Sequence, residues 1–148
     1  MGSSNLDRAR VYAQFVLHEG RRLKPYVDTV GKITIGIGHN LTDRGLKPKF
    51  VDEVFWEDIA DASTELAAAA PWIEALDPVR YRVFLDMAFN MGVPKLMKFR
   101  KTLDAARARR YELASVQMLD SKWADDVKEG RALRLAGMMS SGKDSTDF

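Results

Sequence analysis

Two hydrophobic rhythms run along the chain, and the change from one to the other marks its parts. Over residues 5–18, Leu6, Ala9, Tyr12, Ala13, Val16 and Leu17 recur at helical spacing, with Asn5 or Asp7 available as N-cap and Gly20 as the stop. This predicts a helix of about three to four turns. From Leu23 the pattern becomes a short extended segment, then a turn around Asp28-Thr29-Val30-Gly31, then Lys32 to Ile37. In that last strand Ile33, Ile35 and Ile37 share one face, while Thr34 and Gly36 share the other. The isoleucine face is expected to pack inward and Thr34 to look toward a cleft. A further turn or short edge strand is expected between Thr42 and Pro48, with no strand signal beyond it.

The helical period then returns. Phe50, Val54, Phe55, Ile59, Ala62, Leu66 and Ala69 form a stripe over residues 49–70 that Pro71 terminates. Between Asp52 and Asp77 there are eight acidic residues and no basic one, which makes this helix a candidate strut between two lobes. Asp77-Pro78 supplies an N-cap and a first-turn proline for a helix running through Phe84, Leu85, Ala88, Phe89 and Met91 to Gly92. Helical patterns follow at about 95–110, 111–120 and 131–139, the last closed by Gly142, and the polar tail from Ser140 to Phe148 is expected to fray. The pattern as a whole predicts an α+β fold that is mainly helical.

Composition narrows the function classes. The 148 residues suffice for one domain with its own core, which could divide into two lobes. With no cysteine and two histidines, the chain has no disulfide scaffold, cysteine nucleophile or thiolate metal site, and a zinc centre is poorly served; no cofactor is expected. The longest apolar stretch, Leu66 to Ile73, contains Pro71 and falls far short of the roughly 20 residues that span a bilayer, so no membrane insertion is expected. Met1-Gly2-Ser3-Ser4 has no basic region followed by an apolar run, and the chain is expected to be made and folded in the cytoplasm.

The net charge of +2 conceals an uneven distribution: residues 95–134 carry 11 Lys and Arg against 6 Asp and Glu, which makes that segment +5 and the remainder −3. A basic half suits an anionic polymer such as cell-wall glycan, nucleic acid or a lipid surface, or is simply a solvated face. Lys95 to Arg110 interleaves bases with Leu96, Met97 and Phe99 but has no nucleic-acid reading motif, so no nucleic-acid partner is expected.

Candidate chemistry is concentrated in residues 18–39, HEGRRLKPYVDTVGKITIGIGH, which hold Glu19, Asp28, Thr34 and four of the ten glycines. Glu19 precedes the helix-stopping Gly20, where the partial negative charge of a helix C-terminus disfavours ionisation and favours a general acid; Arg21 and Arg22 act in the opposite sense. Asp28 sits in a turn. Hydrolysis of a glycoside needs one carboxyl to protonate the leaving oxygen and a second to attack the anomeric carbon or activate a water. Thr34 could hold that water against Asp28, and Gly36 and Gly38 would let a sugar chain approach the strand. Each residue alone has an ordinary explanation as a helix-end glutamate, a turn aspartate or a strand threonine. Their nine-residue carboxylate spacing leaves retention and inversion both open.

Extended to Leu41, the segment HEGRRLKPYVDTVGKITIGIGHNL resembles the active-site hairpin of the phage-type lysozymes, the endolysins of glycoside hydrolase family 24. The family pattern is an E-G pair, an aspartate nine residues after the glutamate, and a threonine six further on in T-I-G-x-G-H; here these are Glu19-Gly20, Asp28 and Thr34-Ile35-Gly36-Ile37-Gly38-His39. RVFLDMAFNMG, from Arg82 to Gly92, is similar to the family's core helix, and SKW followed by RALRLAGMMSSG resembles its C-terminal helices. Asn40 to Phe50 is shorter than in T-even members.

The resemblance implies a single lysozyme-like domain with two lobes: a sheet-bearing lobe at about 20–48, a connecting helix at about 49–70, and a helical lobe at about 71–148 on which the N-terminal helix packs. It implies cleavage of the β-1,4 bond between N-acetylmuramic acid and N-acetylglucosamine in peptidoglycan. Glu19 would be the proton donor, Asp28 the second carboxylate acting with inversion, and Thr34 the residue that positions water. Asn40, Phe89 and Asn90 would contact substrate, Arg131 would pair near the acid, and His39 would brace Asp28 or the hairpin. It further implies a monomer that binds glycan strands, waits in the host cytoplasm, and reaches the periplasm through a holin's pores to lyse the host. Two other readings stand beside it: a catalytically silent wall-binding module on the same fold, and a lytic transglycosylase that forms an anhydro end.

Overall fold

The computed structural model describes residues 7–127 and 130–148, and its fold is α+β and mainly helical, with one small antiparallel sheet. It forms two compact units, Met1–Glu53 and Val54–Phe148. No helix among the described residues is long and apolar enough to cross a membrane.

In the first unit, α1 spans Arg8–Glu19. The carboxylate of Asp7 accepts the Arg10 N–H at 3.1 Å, and Gly20 ends the helix at a φ of 73°, which a side chain would disfavour. The alternative cap Asn5 lies outside the described residues. Strands β1 (Arg22–Val27), β2 (Ile33–Gly36) and β3 (His39–Asn40) pair antiparallel in that order. Arg22 faces Gly36, Tyr26 and Asn40 flank Thr34, and the register is irregular between Arg22 and Tyr26, where Pro25 has no N–H to donate. The edge strand expected after Thr42 lies earlier, at His39–Asn40. The residues after it form a single helical turn, α2 (Leu41–Arg44), because Asn40 caps it by accepting the Asp43 N–H at 3.0 Å.

One expectation about this sheet is reversed. Thr34 is 3% exposed and Ile33 is 49% exposed, so the isoleucine face is not the inward one. Alternation says which residues share a face but not which face is covered. Thr34 is the residue of the central strand with partners on both sides, whereas Ile33 lies at the strand's beginning beside Val27, itself exposed. Ile35 lines a cavity of about 530 Å³ together with Leu46 and Phe50.

In the second unit the long helix α3, Pro48–Ala69, which begins in the first, runs to a 3-10 turn at Pro71–Ala75. α4 (Pro78–Met91) begins on the Asp77 cap and stops at Gly92. The pattern at 95–110 resolves into two helices, α5 (Val93–Leu96) and α6 (Arg100–Arg107), because the N–H groups of Lys98 and Phe99 bond back three residues and tighten the chain out of α geometry. α7 (Tyr111–Leu119) is followed by α8 (Lys122–Asp126), which is too short to show a period in sequence. α9 (Arg131–Ser141) ends at Gly142 with a φ of 68°.

Packing holds this unit together. Leu66, Ile73, Phe84, Met87, Leu96, Met118 and Met139 are fully buried, each contributing about 1.5–3 kcal/mol by removal from water. Arg80 fastens α9 to α4: its Nε and Nη2 donate to the carbonyls of Met139 and Ser140 at 2.6 and 2.9 Å, and its guanidinium lies 3.6 Å from the ring centre of Tyr111. In the polar tail, Asp144 pairs with Arg82 and Asp147 with Arg134 at the surface.

Candidate active site

α1 delivers Glu19 as its last residue. The chain then returns through the sheet so that the Gly38 backbone lies against the Glu19 carboxyl: a β-carbon on Gly38 would come within 2.9 Å of Glu19 Cδ and Oε2. Gly38 also has a φ of 67°. The backbone conformation favours glycine here, and any β-carbon would also displace the Glu19 carboxyl.

Asp28 is fixed by its own turn. Its Oδ1 accepts the N–H groups of Val30 and Lys32 at 3.0 and 2.8 Å, while its own N–H donates to the Lys32 carbonyl at 2.9 Å. Its other oxygen, Oδ2, has no hydrogen-bond partner among the described residues. The Thr34 hydroxyl donates to the same Lys32 carbonyl at 3.1 Å. Asp28 and Thr34 are therefore joined through one main-chain oxygen, with a carboxylate oxygen and a pair of hydroxyl lone pairs left for a ligand.

The neighbouring candidates hold the scaffold. His39 Nε2 lies 2.6 Å from the Gly45 carbonyl oxygen, so the histidine braces the end of α2. Asn40 has both side-chain polar atoms engaged by Asp43: Oδ1 accepts the Asp43 N–H, and Nδ2 donates to Asp43 Oδ2 at 2.9 Å. Asp43 in turn accepts from Lys32 Nζ at 3.0 Å, and the Lys32 and Asn40 hydrogen bonds hold its carboxyl below the usual carboxylate range. Thr42 Oγ1 accepts the Ile33 N–H at 2.8 Å. Thr42 escapes a reading of the sequence because its link runs to a main-chain N–H, and Lys32 and Asp43 because their pairing joins residues 11 apart across a turn.

The helical unit has its own group of candidates. Arg131 donates through Nε and Nη2 to Asp86 Oδ1 at 2.9 and 2.6 Å. Asn90 accepts the Trp123 indole N–H at 2.9 Å, and Phe89 is 44% exposed with its ring tilted against Phe55 at 6.2 Å. Phe89 is thus not a core residue. Asn90, Trp123 and Arg131 line a cavity of about 770 Å³ with Phe99 and a rim of Lys95, Lys98 and Lys122.

These residues fall within a recognised family. A family model described as phage lysozyme matches residues 16–141, a span that includes Glu19, Asp28, Thr34, His39, Asn40, Phe89, Asn90 and Arg131. The chain belongs to the phage lysozyme family. Among curated relatives it is 29% identical to the pre-baseplate central spike protein Gp5 of Enterobacteria phage T4, over 84% of this chain and 26% of that protein. It is 24% and 25% identical to probable T4-type lysozymes 1 and 2 of Dictyostelium discoideum, each over 84% of this chain and 89% of the relative. The chain thus spans about a quarter of the spike protein and most of either amoebal relative. The lysozyme family implies glycoside hydrolase activity on peptidoglycan.

Proposed function

We propose that the chain is a muramidase that hydrolyses the β-1,4 bond between N-acetylmuramic acid and N-acetylglucosamine in peptidoglycan. The observation that carries this reading is the E-G, Asp and T-I-G-x-G-H pattern lying inside the family match. The turn that immobilises one Asp28 oxygen and leaves the other supports it.

Glu19 gives its proton to the leaving glycosidic oxygen as the bond to the anomeric carbon breaks. A water donates one hydrogen to Asp28 Oδ2 and the other to Thr34 Oγ1, which is free to accept because its own proton is held by the Lys32 carbonyl. The water's lone pair then attacks the face opposite the leaving group, its proton passes to Asp28, and the configuration inverts. With Thr34 almost wholly buried, such a water is a single ordered molecule and not bulk solvent. Phe89 and Asn90 contact the glycan, while Asn40, whose amide is engaged by Asp43, supports together with His39 and Arg131, and no cofactor takes part. In the cell the enzyme acts as a monomer on the periplasmic wall of the host, released from the cytoplasm by a holin, to cause lysis.

Mass spectrometry of muropeptides after digestion of peptidoglycan by the wild type and Glu19→Gln tests the reading. Reducing N-acetylmuramic acid ends from the wild type, with a loss of about 100- to 10,000-fold in the variant, are expected. Anhydro ends would point to a lytic transglycosylase. Glycan binding without any product would point to a silent wall-binding module.

A further inference from the structure

We propose that Thr42 is a positioning residue for Asp28 and Thr34, an inference that rests on the muramidase reading above. The Lys32–Ile33 peptide is a single rigid plane, because its C–N bond has partial double-bond character. At one end its carbonyl accepts both the Asp28 N–H at 2.9 Å and the Thr34 hydroxyl at 3.1 Å. At the other end its N–H donates to Thr42 Oγ1 at 2.8 Å. Fixing the N–H end fixes the direction of the carbonyl, so one side chain sets the acceptor that the two hydrolytic residues share.

The fold explains why a side chain is needed there. β3 is two residues long and pairs His39 with Ile35 and Asn40 with Thr34, so opposite Ile33 the strand has already given way to α2. No main-chain carbonyl of a third strand is opposite the Ile33 N–H. The Thr42 hydroxyl takes that place, and α2 is held beside β2 by its Asn40 cap and by the Lys32 to Asp43 ion pair. The chemical consequence concerns the polarity of Thr34. While its proton rests on the Lys32 carbonyl, its oxygen presents lone pairs to a water; if the plane turns, that proton is freed to point at the water, where it competes with a water that must donate to both Thr34 and Asp28.

Thr42 is exposed, so its replacement leaves no buried gap and the variants are expected to fold. Thr42→Val keeps the shape and removes the acceptor, whereas Thr42→Ser keeps the acceptor. In hydrolysis of soluble peptidoglycan fragments, Thr42→Val is expected to lower kcat about 10- to 100-fold with KM unchanged, and Thr42→Ser to stay within about twofold of wild type. Amide hydrogen exchange by nuclear magnetic resonance is expected to show faster exchange at Ile33 and Asp28 in Thr42→Val alone. A folded Thr42→Val with wild-type kcat, or with wild-type exchange at Asp28, overturns the proposal. If the wild type itself releases no muropeptides, the muramidase reading fails, and the Asp28 exchange rate decides the positioning role independently.

Discussion

Between Val54 and Phe148 lie all the buried apolar side chains of the described residues, whereas between Asp7 and Glu53 the one buried side chain is Thr34. The helical unit is shaped by the removal of Phe84, Met87, Leu96 and their neighbours from water, a force without direction. The sheet-bearing unit is shaped by directed contacts: an aspartate turn, a shared carbonyl, a cap on a one-turn helix. Orientation to within a fraction of an ångström is what hydrolysis demands, and hydrogen bonds specify it better than oily packing does. The difference implies that activity and stability respond to separate sets of residues.

The sharpest way to break that separation is Glu19→Gln. It is expected to reduce muramidase activity by about 100- to 10,000-fold while the thermal midpoint stays near that of wild type; a large fall in the midpoint would show that Glu19 also holds the fold. The mirror experiment is Phe84→Ala, which removes a fully buried ring packed edge-on against Trp72 at 6.1 Å. A loss of about 3–5 kcal/mol in denaturant unfolding is expected, with kcat of the folded fraction unchanged. Gly38→Ala should affect both properties, because its β-carbon meets the Glu19 carboxyl and its backbone has positive φ. It is expected to cost about 1–2 kcal/mol in stability, together with a measurable fall in kcat.

The smallest effect concerns Asp77 and depends on pH. Burial raises its carboxyl's affinity for protons, but the Arg80 N–H and guanidinium outweigh burial and hold it below the ordinary value. A carboxylate depressed in the folded state contributes stability above its unfolded-state value and loses it as the pH falls through the folded-state one. Asp77→Ala is accordingly expected to cost about 1 kcal/mol near neutrality. The gap between variant and wild type should close in unfolding titrations as the pH drops below about 4; a gap that persists at low pH would show that the cap does not act through its charge.

Helix limits were legible wherever a cap announced them: Asp7 and Gly20, Asp77-Pro78 and Gly92, and Gly142 all stand at the observed ends. α8 was not, since five residues cannot display a 3.6-residue period, and the interruption at Lys98 and Phe99 has no proline or glycine to mark it. The covered face of β2 is not legible, because isoleucine spacing gives periodicity without revealing which side is covered. Of the candidate site, Glu19, Asp28 and Thr34 are legible only as a spaced set that matches the family pattern, since each alone is an ordinary residue of its element. The carbonyl of Lys32 and the hydroxyl of Thr42 are not legible, because a main-chain acceptor leaves no trace in residue identity and threonine in a polar segment is unremarked. Arg131 carried a signal, but its partner Asp86 did not.

The grip of Arg80 on Met139 and Ser140 joins positions about 60 residues apart, and the core reaches from Leu66 to Met139. During synthesis at about 5–20 residues per second, Phe84 on α4 leaves the ribosome several seconds before α9, which packs against that helix. Throughout that interval the nascent chain carries unshielded apolar surface. A chaperone able to shelter it, or a lower temperature during synthesis, should therefore govern the yield of folded protein more strongly than any change in the hairpin.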